Sequence, residues 1–253
     1  MLINQTLDKM RTLHLGGMAE ALEEQRRQGD IARLDFEDRL GLLIDRQWSW
    51  KENRGLETRL KNAQLKIAAT LEDINYRHPR GLKRAQIEQL RVNRWLPEHR
   101  NCLITGPTGV GKTYLACALA HHACREGYTT LYYYAPKLFR ALQTAQVDGS
   151  LLALLKKLRR ASLLVIDDLG LASVAGKQYR EFLEIIDDRQ GLGATLNTSQ
   201  FPVEQWHEII ADATVADAIL DRLVHQAYRI ELKGETMRKP LPPGAETQPD
   251  PAD

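Results

Sequence analysis

One eight-residue stretch constrains this chain more than any other. Gly106-Pro107-Thr108-Gly109-Val110-Gly111-Lys112-Thr113 satisfies the pattern G-x-x-x-x-G-K-[ST] in full. Its flanks fit as well as its letters. The apolar run Asn101–Thr105 (NCLIT) reads as a short strand before it, and Tyr114–Arg125 reads as a helix after it. In such a strand–turn–helix unit, Gly109 and Gly111 let backbone N–H groups turn inward around an anion. The helix aims its N-terminal partial positive charge at the same point. Lys112 then reaches the β- and γ-phosphates of a nucleotide, and Thr113 offers its hydroxyl to Mg²⁺. A glycine-rich turn without a ligand is the plain alternative, and the flanking strand and helix argue against it.

A second feature sits where such a loop needs it. Ser162–Ile166 (SLLVI) is a continuous apolar run of the kind buried on both faces of a sheet, and it ends in Asp167-Asp168. A strand that delivers carboxylates to the C-terminal edge of a parallel sheet places them near the phosphate loop. Asp167 is assigned to magnesium, through water, and Asp168 to polarising an attacking water. Two solvated acids at a strand end are the alternative.

The rest of the chain is organised around that unit. Thr129–Tyr134 and Ala194–Thr198 read as further strands, and 137–145, 150–160, 179–189, 203–210 and 216–227 as helices. This alternation predicts an α/β fold, a parallel sheet with flanking helices. Residues 1–70 contain no proline and read as three or four helices, with a break at Gly16-Gly17 and an N-cap at Asp35. They are expected to form a small all-α N-terminal domain. Residues 71–100 read as a basic linker and a helix over 82–96, 101–239 as the α/β domain, and 240–253 as a proline-rich, disordered tail.

Charge is informative only locally. The 253 residues carry a net +2, but residues 76–100 hold seven basic and two acidic side chains, a net of +5. That stretch is either a solvated linker or a phosphate-backbone contact. The chain has no apolar run of membrane-spanning length and no basic-then-apolar leader. Its three cysteines make no disulfide framework, so the reducing cytoplasm is the expected setting.

The phosphate loop, LLVIDDLG, the Thr-Ser-Gln end of the next strand, and the run ADAILDRLVHQAYRIELKGETMRK together resemble the IstB-like ATPases. These are AAA+ helpers of insertion-sequence transposition, similar to the DnaC-type helicase loaders. Residues 35–66 resemble the family's helical domain and 76–239 its AAA+ domain. The resemblance implies an ATPase that uses ATP and Mg²⁺, forms a homo-oligomer on duplex DNA, and recruits or activates a transposase. It implies sensor 1 at Ser199 or Gln200, an arginine finger at Arg222 acting on a neighbouring subunit, and sensor 2 at Arg238. One departure stands out, because the acidic pair is Asp-Asp where Asp-Glu is usual.

DNA contacts are expected mainly to phosphates, from Arg77, Arg80, Lys83 and Arg84, with Lys137 and Arg140 on the helix after TTLYYY. Lys156, Lys157, Arg159 and Arg160 are as readily a solvated helix face. Cys117, His121 and Cys124 share a helix face and could be soft metal ligands, though packing on the sheet is the better reading. Tyr132–Tyr134, Trp48 and Trp50 likewise read as packing residues. Two other functions fit parts of the pattern. A helicase loader would use its N-terminal helices on a replicative helicase, and a small-molecule kinase would need a basic lid and an acceptor site that the sequence lacks.

Overall fold

The computed structural model describes residues 2–92, 94–170, 176–210 and 212–238. The predicted disordered tail, 240–253, and residue 239 of the α/β domain lie outside them. The chain divides into two compact units, 1–62 and 63–253. No helix among the described residues is long and apolar enough to cross a membrane.

The first unit is helical. It contains α1 (Leu2–Thr12), α2 (Gly16–Arg27), a 3₁₀ turn (Gly29–Arg33) and all but the last residue of the long α3 (Phe36–Ala63). Asp35 caps α3 as expected, its Oδ1 accepting from the Asp38 amide at 2.8 Å. Gly16 and Gly17 do break the helical run, but they open α2 instead of preceding it. The reason is Trp50. A Cβ on Gly17 would lie 2.5 Å from the Trp50 Cβ, so only glycine lets α2 and α3 approach this closely. Gln47 fastens the junction, accepting from the Met18 amide at 3.0 Å. Trp50 is thus the packing anchor expected of it. Trp48 is not, being 70% exposed. It lies about 160° around α3 from Trp50.

The second unit is built on five parallel strands: β1 (Cys102–Thr105), β2 (Thr130–Tyr134), β3 (Leu163–Leu169), β4 (Ala194–Ser199) and β5 (Tyr228–Glu231). Their order across the sheet is β2-β3-β4-β1-β5. The helices are α4 (Arg84–Arg91), α5 (Lys112–Arg125), α6 (Ala135–Asp148), α7 (Leu151–Arg160), α8 (Gly176–Arg189), α9 (Trp206–Ile209) and α10 (Ala213–Val224). Alternate strand residues serve two cores, as a period of two requires. Cys102, Ile104, Leu163 and Val165 pack with Ile87 and Leu90 of α4 and Leu115 and Leu119 of α5. Leu103, Leu164 and Ile166 pack with α6, α8 and α10. Cys117 and Cys124 are fully buried in α5, and among the described residues no three or more His, Cys, Asp or Glu side chains are grouped to hold a metal ion.

Three sequence expectations change. Residues 71–100 are not a linker: Leu71, Ile74, Ile87, Leu90, Trp95 and Leu96 are buried in the same core as α5. The helix expected over 82–96 is only α4, because Trp95 and Leu96 turn inward beyond its end and the Trp95 indole donates to the Leu90 carbonyl at 3.1 Å. Finally, β5 forms where no strand is expected: α10 ends at Val224, and β5 begins at Tyr228, directly after the run expected to be helical to residue 227. It is a four-residue edge strand in which Ile230 is buried between exposed Arg229 and Glu231, too short for its alternation to stand out in sequence.

Candidate active site

The phosphate loop leaves the C-terminal end of β1 and is held from three sides. Gly109 and Gly111 have φ of 87° and 91°, the left-handed region that favours glycine. A Cβ at Gly109 would lie 2.0 Å from Thr236 Oγ1, and one at Gly111 2.4 Å from an Arg80 guanidinium nitrogen. The chain after β5 therefore lies against the loop. The Leu232 amide donates to the Thr105 carbonyl at 2.8 Å and the Met237 amide to the Gly109 carbonyl at 2.9 Å. Lys112 folds back over its own loop, donating to the Gly106 and Pro107 carbonyls at 2.7 and 2.8 Å. Burial pushes its ammonium below its ordinary pKa, while the charges of Asp168 and Asp167 act in the opposite direction.

The two acids occupy different environments because β3 bulges between Ile166 and Leu169. Asp167 is fully buried and accepts three hydroxyl donors: Thr113 at 2.9 and 3.0 Å, Tyr132 at 2.7 Å and Thr198 at 2.7 Å. Asp168, with φ of 59°, turns into the cleft, and its amide donates to Thr198 Oγ1 at 2.8 Å. Asp enters the left-handed region more readily than a longer side chain, which gives the Asp-Asp departure a physical basis. Burial raises the Asp168 carboxyl above its ordinary pKa and the neighbouring Asp167 adds to this. Lys112, Lys66 and a hydrogen bond with Gln200 oppose it.

The cleft has a volume of about 350 Å³ and brings together Thr108, Gly109, Gly111, Lys112, Thr113, Asp168, Gln200 and Arg238 from the sequence-derived set. Of the two sensor candidates, Gln200 faces the cleft and accepts from Thr108 Oγ1 at 2.7 Å. Ser199 is buried and donates to the Leu169 carbonyl at 2.8 Å. Arg222 is elsewhere. Its Nε meets Asp187 at 2.6 Å, and its carbonyl accepts from the Asn101 side-chain Nδ2 at 2.9 Å, just before β1 begins. It therefore stands at the end of the sheet opposite the phosphate loop.

Arg80 corrects an expectation. A DNA contact needs an exposed side chain, and Arg80 is 2% exposed. Its guanidinium donates to the Val110 carbonyl at 2.8 Å and the Asn75 carbonyl at 3.1 Å, and it lines the cleft. Lys112 is accordingly not the sole cation there. Arg77, Lys83, Arg84, Lys137 and Arg140 are exposed. Sequence reasoning also missed Thr198, which bridges β3 and β4 at the acids. Tyr132 was read as packing only, although its hydroxyl points at Asp167.

These residues suit a nucleotide and a hard cation. Gly109 and Gly111 have the left-handed backbone that such a phosphate loop uses, and a Cβ at either would collide with Thr236 or Arg80 packed against it. Thr113 and Asp167 present oxygen donors side by side, the chemistry that Mg²⁺ prefers.

Comparison with known proteins agrees with this geometry. A family model described as IstB-like ATP binding protein matches residues 8–241. An insertion sequence ATP-binding protein of Sinorhizobium fredii is 46% identical over 239 residues, covering 94% of this chain and 98% of that one. Among solved structures, the crystal structure of DnaI covers 65% of this chain and 90% of its own, with a TM-score of 0.54 and 25% identity. AMPPCP-bound DnaA from Aquifex aeolicus gives a TM-score of 0.56 at 21% identity, covering 67% of this chain and 51% of that one. The likeness to DnaA is one of fold, the AAA+ P-loop arrangement.

Proposed function

This chain belongs to the family of IstB-like ATP-binding proteins, and from that premise we propose that it is an ATPase that helps an insertion sequence to transpose. In this reading it assembles with ATP on duplex DNA and recruits or activates the transposase, and hydrolysis resets the assembly. One observation carries the reading: a complete phosphate loop, Thr113 and Asp167 in direct contact, and Asp168 beside Lys112 in one cleft.

The roles follow from position. The loop amides and Lys112 bind the phosphates. Thr113 and Asp167 would hold Mg²⁺, which when bound would neutralise phosphate charge. Asp167 acts through water, since both of its oxygens already accept hydroxyls. Asp168 orients and deprotonates the attacking water, and Gln200 is placed to help. Arg238 meets the γ-phosphate from the same chain, and Arg222 serves a neighbour's site. Arg77, Lys83, Arg84, Lys137 and Arg140 are the candidates for DNA phosphates.

The test is duplex-DNA binding by anisotropy, with and without ATP, as salt is varied. Wild-type protein should bind only with ATP, with little sequence preference, and Lys112→Ala should not bind. Each phosphate contact contributes a salt slope of about 0.9, so alanines at Arg77, Lys83 and Arg84 should flatten it by up to about 3. A chain indifferent to DNA at every nucleotide state would overturn the reading in favour of a helicase loader.

A further inference from the structure

Two buried arginines in the second unit have no carboxylate partner among the described residues, and they differ in a telling way. Every guanidinium nitrogen of Arg189 has a protein partner. Its Nε donates to Thr195, and its terminal nitrogens donate to the carbonyls of Leu158, Ala161 and Ala194, all at 3.2 Å or less. It is a packing clamp. Arg80 is 2% exposed, yet its Nε has no partner among the described residues. One of its other donors rests on a thioether, Met237 Sδ at 3.2 Å, which is a weak acceptor. Unlike Arg189, it lines the cleft beside Gly111 and Lys112. A charge buried without an acid and with idle donors has its countercharge elsewhere.

We propose that Arg80 is a further cation for the bound nucleotide, taking its countercharge from the phosphates while it bridges three segments around the loop. The inference rests on the ATP reading of the same cleft. The geometry ties the segments together. The guanidinium reaches Asn75 on the approach to α4 and Val110 in the loop, and it touches Met237 in the closing segment. The Arg80 carbonyl accepts from the Lys233 amide at 2.9 Å, so both ends of the residue hold the segment that carries Arg238. The closeness of Arg80 to the Cβ position of Gly111 puts its charge at the mouth of the phosphate cradle.

The experiment compares ATP and AMP affinities by calorimetry for wild type, Arg80→Gln, Arg80→Lys and Lys112→Ala. Arg80→Gln should weaken ATP by about tenfold or more and AMP by about threefold or less, because the lost charge matters more to the more highly charged ligand. Arg80→Lys should restore most of the preference for ATP. Unchanged ATP affinity in Arg80→Gln, or equal losses for both ligands that lysine does not repair, would reduce Arg80 to a packing role. Should the glutamine variant not fold, the lysine variant decides: a kept preference for ATP supports the proposal, and a collapsed one overturns it. If Lys112→Ala binds ATP as wild type does, it is the ATP reading of the cleft that has failed.

Discussion

At the scale of single residues, the site depends on how many donors surround each carboxylate. Asp167 is fully buried, with three hydroxyls donating to it. Tyr132→Phe removes one donor and leaves buried carboxylate surface unpaired, a loss of about 1–3 kcal/mol. Thermal melts should show that loss, while ATP affinity measured without metal should stay near wild type. An unshifted melting temperature would mean that the tyrosine hydroxyl contributes nothing to the acid. Asp168 behaves differently, because its raised pKa makes the ionised form the costly one. The folded state holds that proton more tightly than the unfolded state. The contribution of Asp168 to stability is therefore fullest below the unfolded pKa and declines as pH rises through the folded one. Asparagine keeps the left-handed backbone and removes the charge. Asp168→Asn should melt higher at neutral pH, bind ATP, and turn it over at least about 10²-fold more slowly. It should also lack the acid limb of the wild-type pH–rate profile, whose midpoint lies above the ordinary carboxylate range. Wild-type turnover in this variant would remove Asp168 from the chemistry. Both acids were legible in the sequence because a strand followed by Asp-Asp is a local pattern. Arg80, Tyr132 and Thr198 were not legible in these roles, because each depends on a contact with a residue at least 30 positions away.

At the scale of elements, the buried apolar strands and the tyrosine-rich β2 announced themselves, and the charged edge strand β5 did not. β1, β3 and β4 are runs buried along nearly their whole length, and their limits were readable within a few residues. β5 carries charged residues at alternate positions and gains its identity from pairing with β1, which no local window contains. The shortened α4 has the same explanation, since Trp95 and Leu96 leave the helix to fill a core assembled from distant segments. In the first unit a pair of glycines marked a helix break, and packing supplies the reason. Trp50 occupies the space a side chain at position 17 would need, and the Arg46 carbonyl lies 3.0 Å from the same point. Gly17→Ala must force backbone apart, at a cost of about 1–3 kcal/mol. Helical signal from the first unit should melt earlier by calorimetry and circular dichroism. ATP affinity should be unchanged, because every residue lining the cleft lies within 63–253. Unaltered melting would show that α2 and α3 can shift at no cost.

At the scale of the whole molecule, the parallel sheet separates the two arginine roles that the family resemblance assigned. All five strands run in one direction, so the phosphate loop, Asp168 and Arg238 gather where strands end. Arg222 stands where β1 begins, tied there through Asn101, and it lines a separate cavity with Arg100, Asn101, Arg189 and Thr195. The four residues of β1 alone put about 13 Å between these ends, beyond the reach of an arginine side chain already engaged with Asp187. If Arg222 stabilises phosphate charge, it does so in another copy of the chain. Arg222→Ala should therefore keep the ATP affinity of the isolated chain and lose ATP-driven assembly. Hydrolysis should fall by about 10³-fold or more, as for an arginine finger in other P-loop enzymes. Mixing decides between the two sites. Lys112→Ala chains retain Arg222, and Arg222→Ala chains retain an intact phosphate loop. Combined, two inactive proteins should regain part of the ATPase at their mixed junctions, with a maximum at an intermediate ratio. Co-assembly confirmed by light scattering without any regained activity would confine Arg222 to its own fold, where the Asp187 ion pair and the Asn101 hydrogen bond would be its whole role.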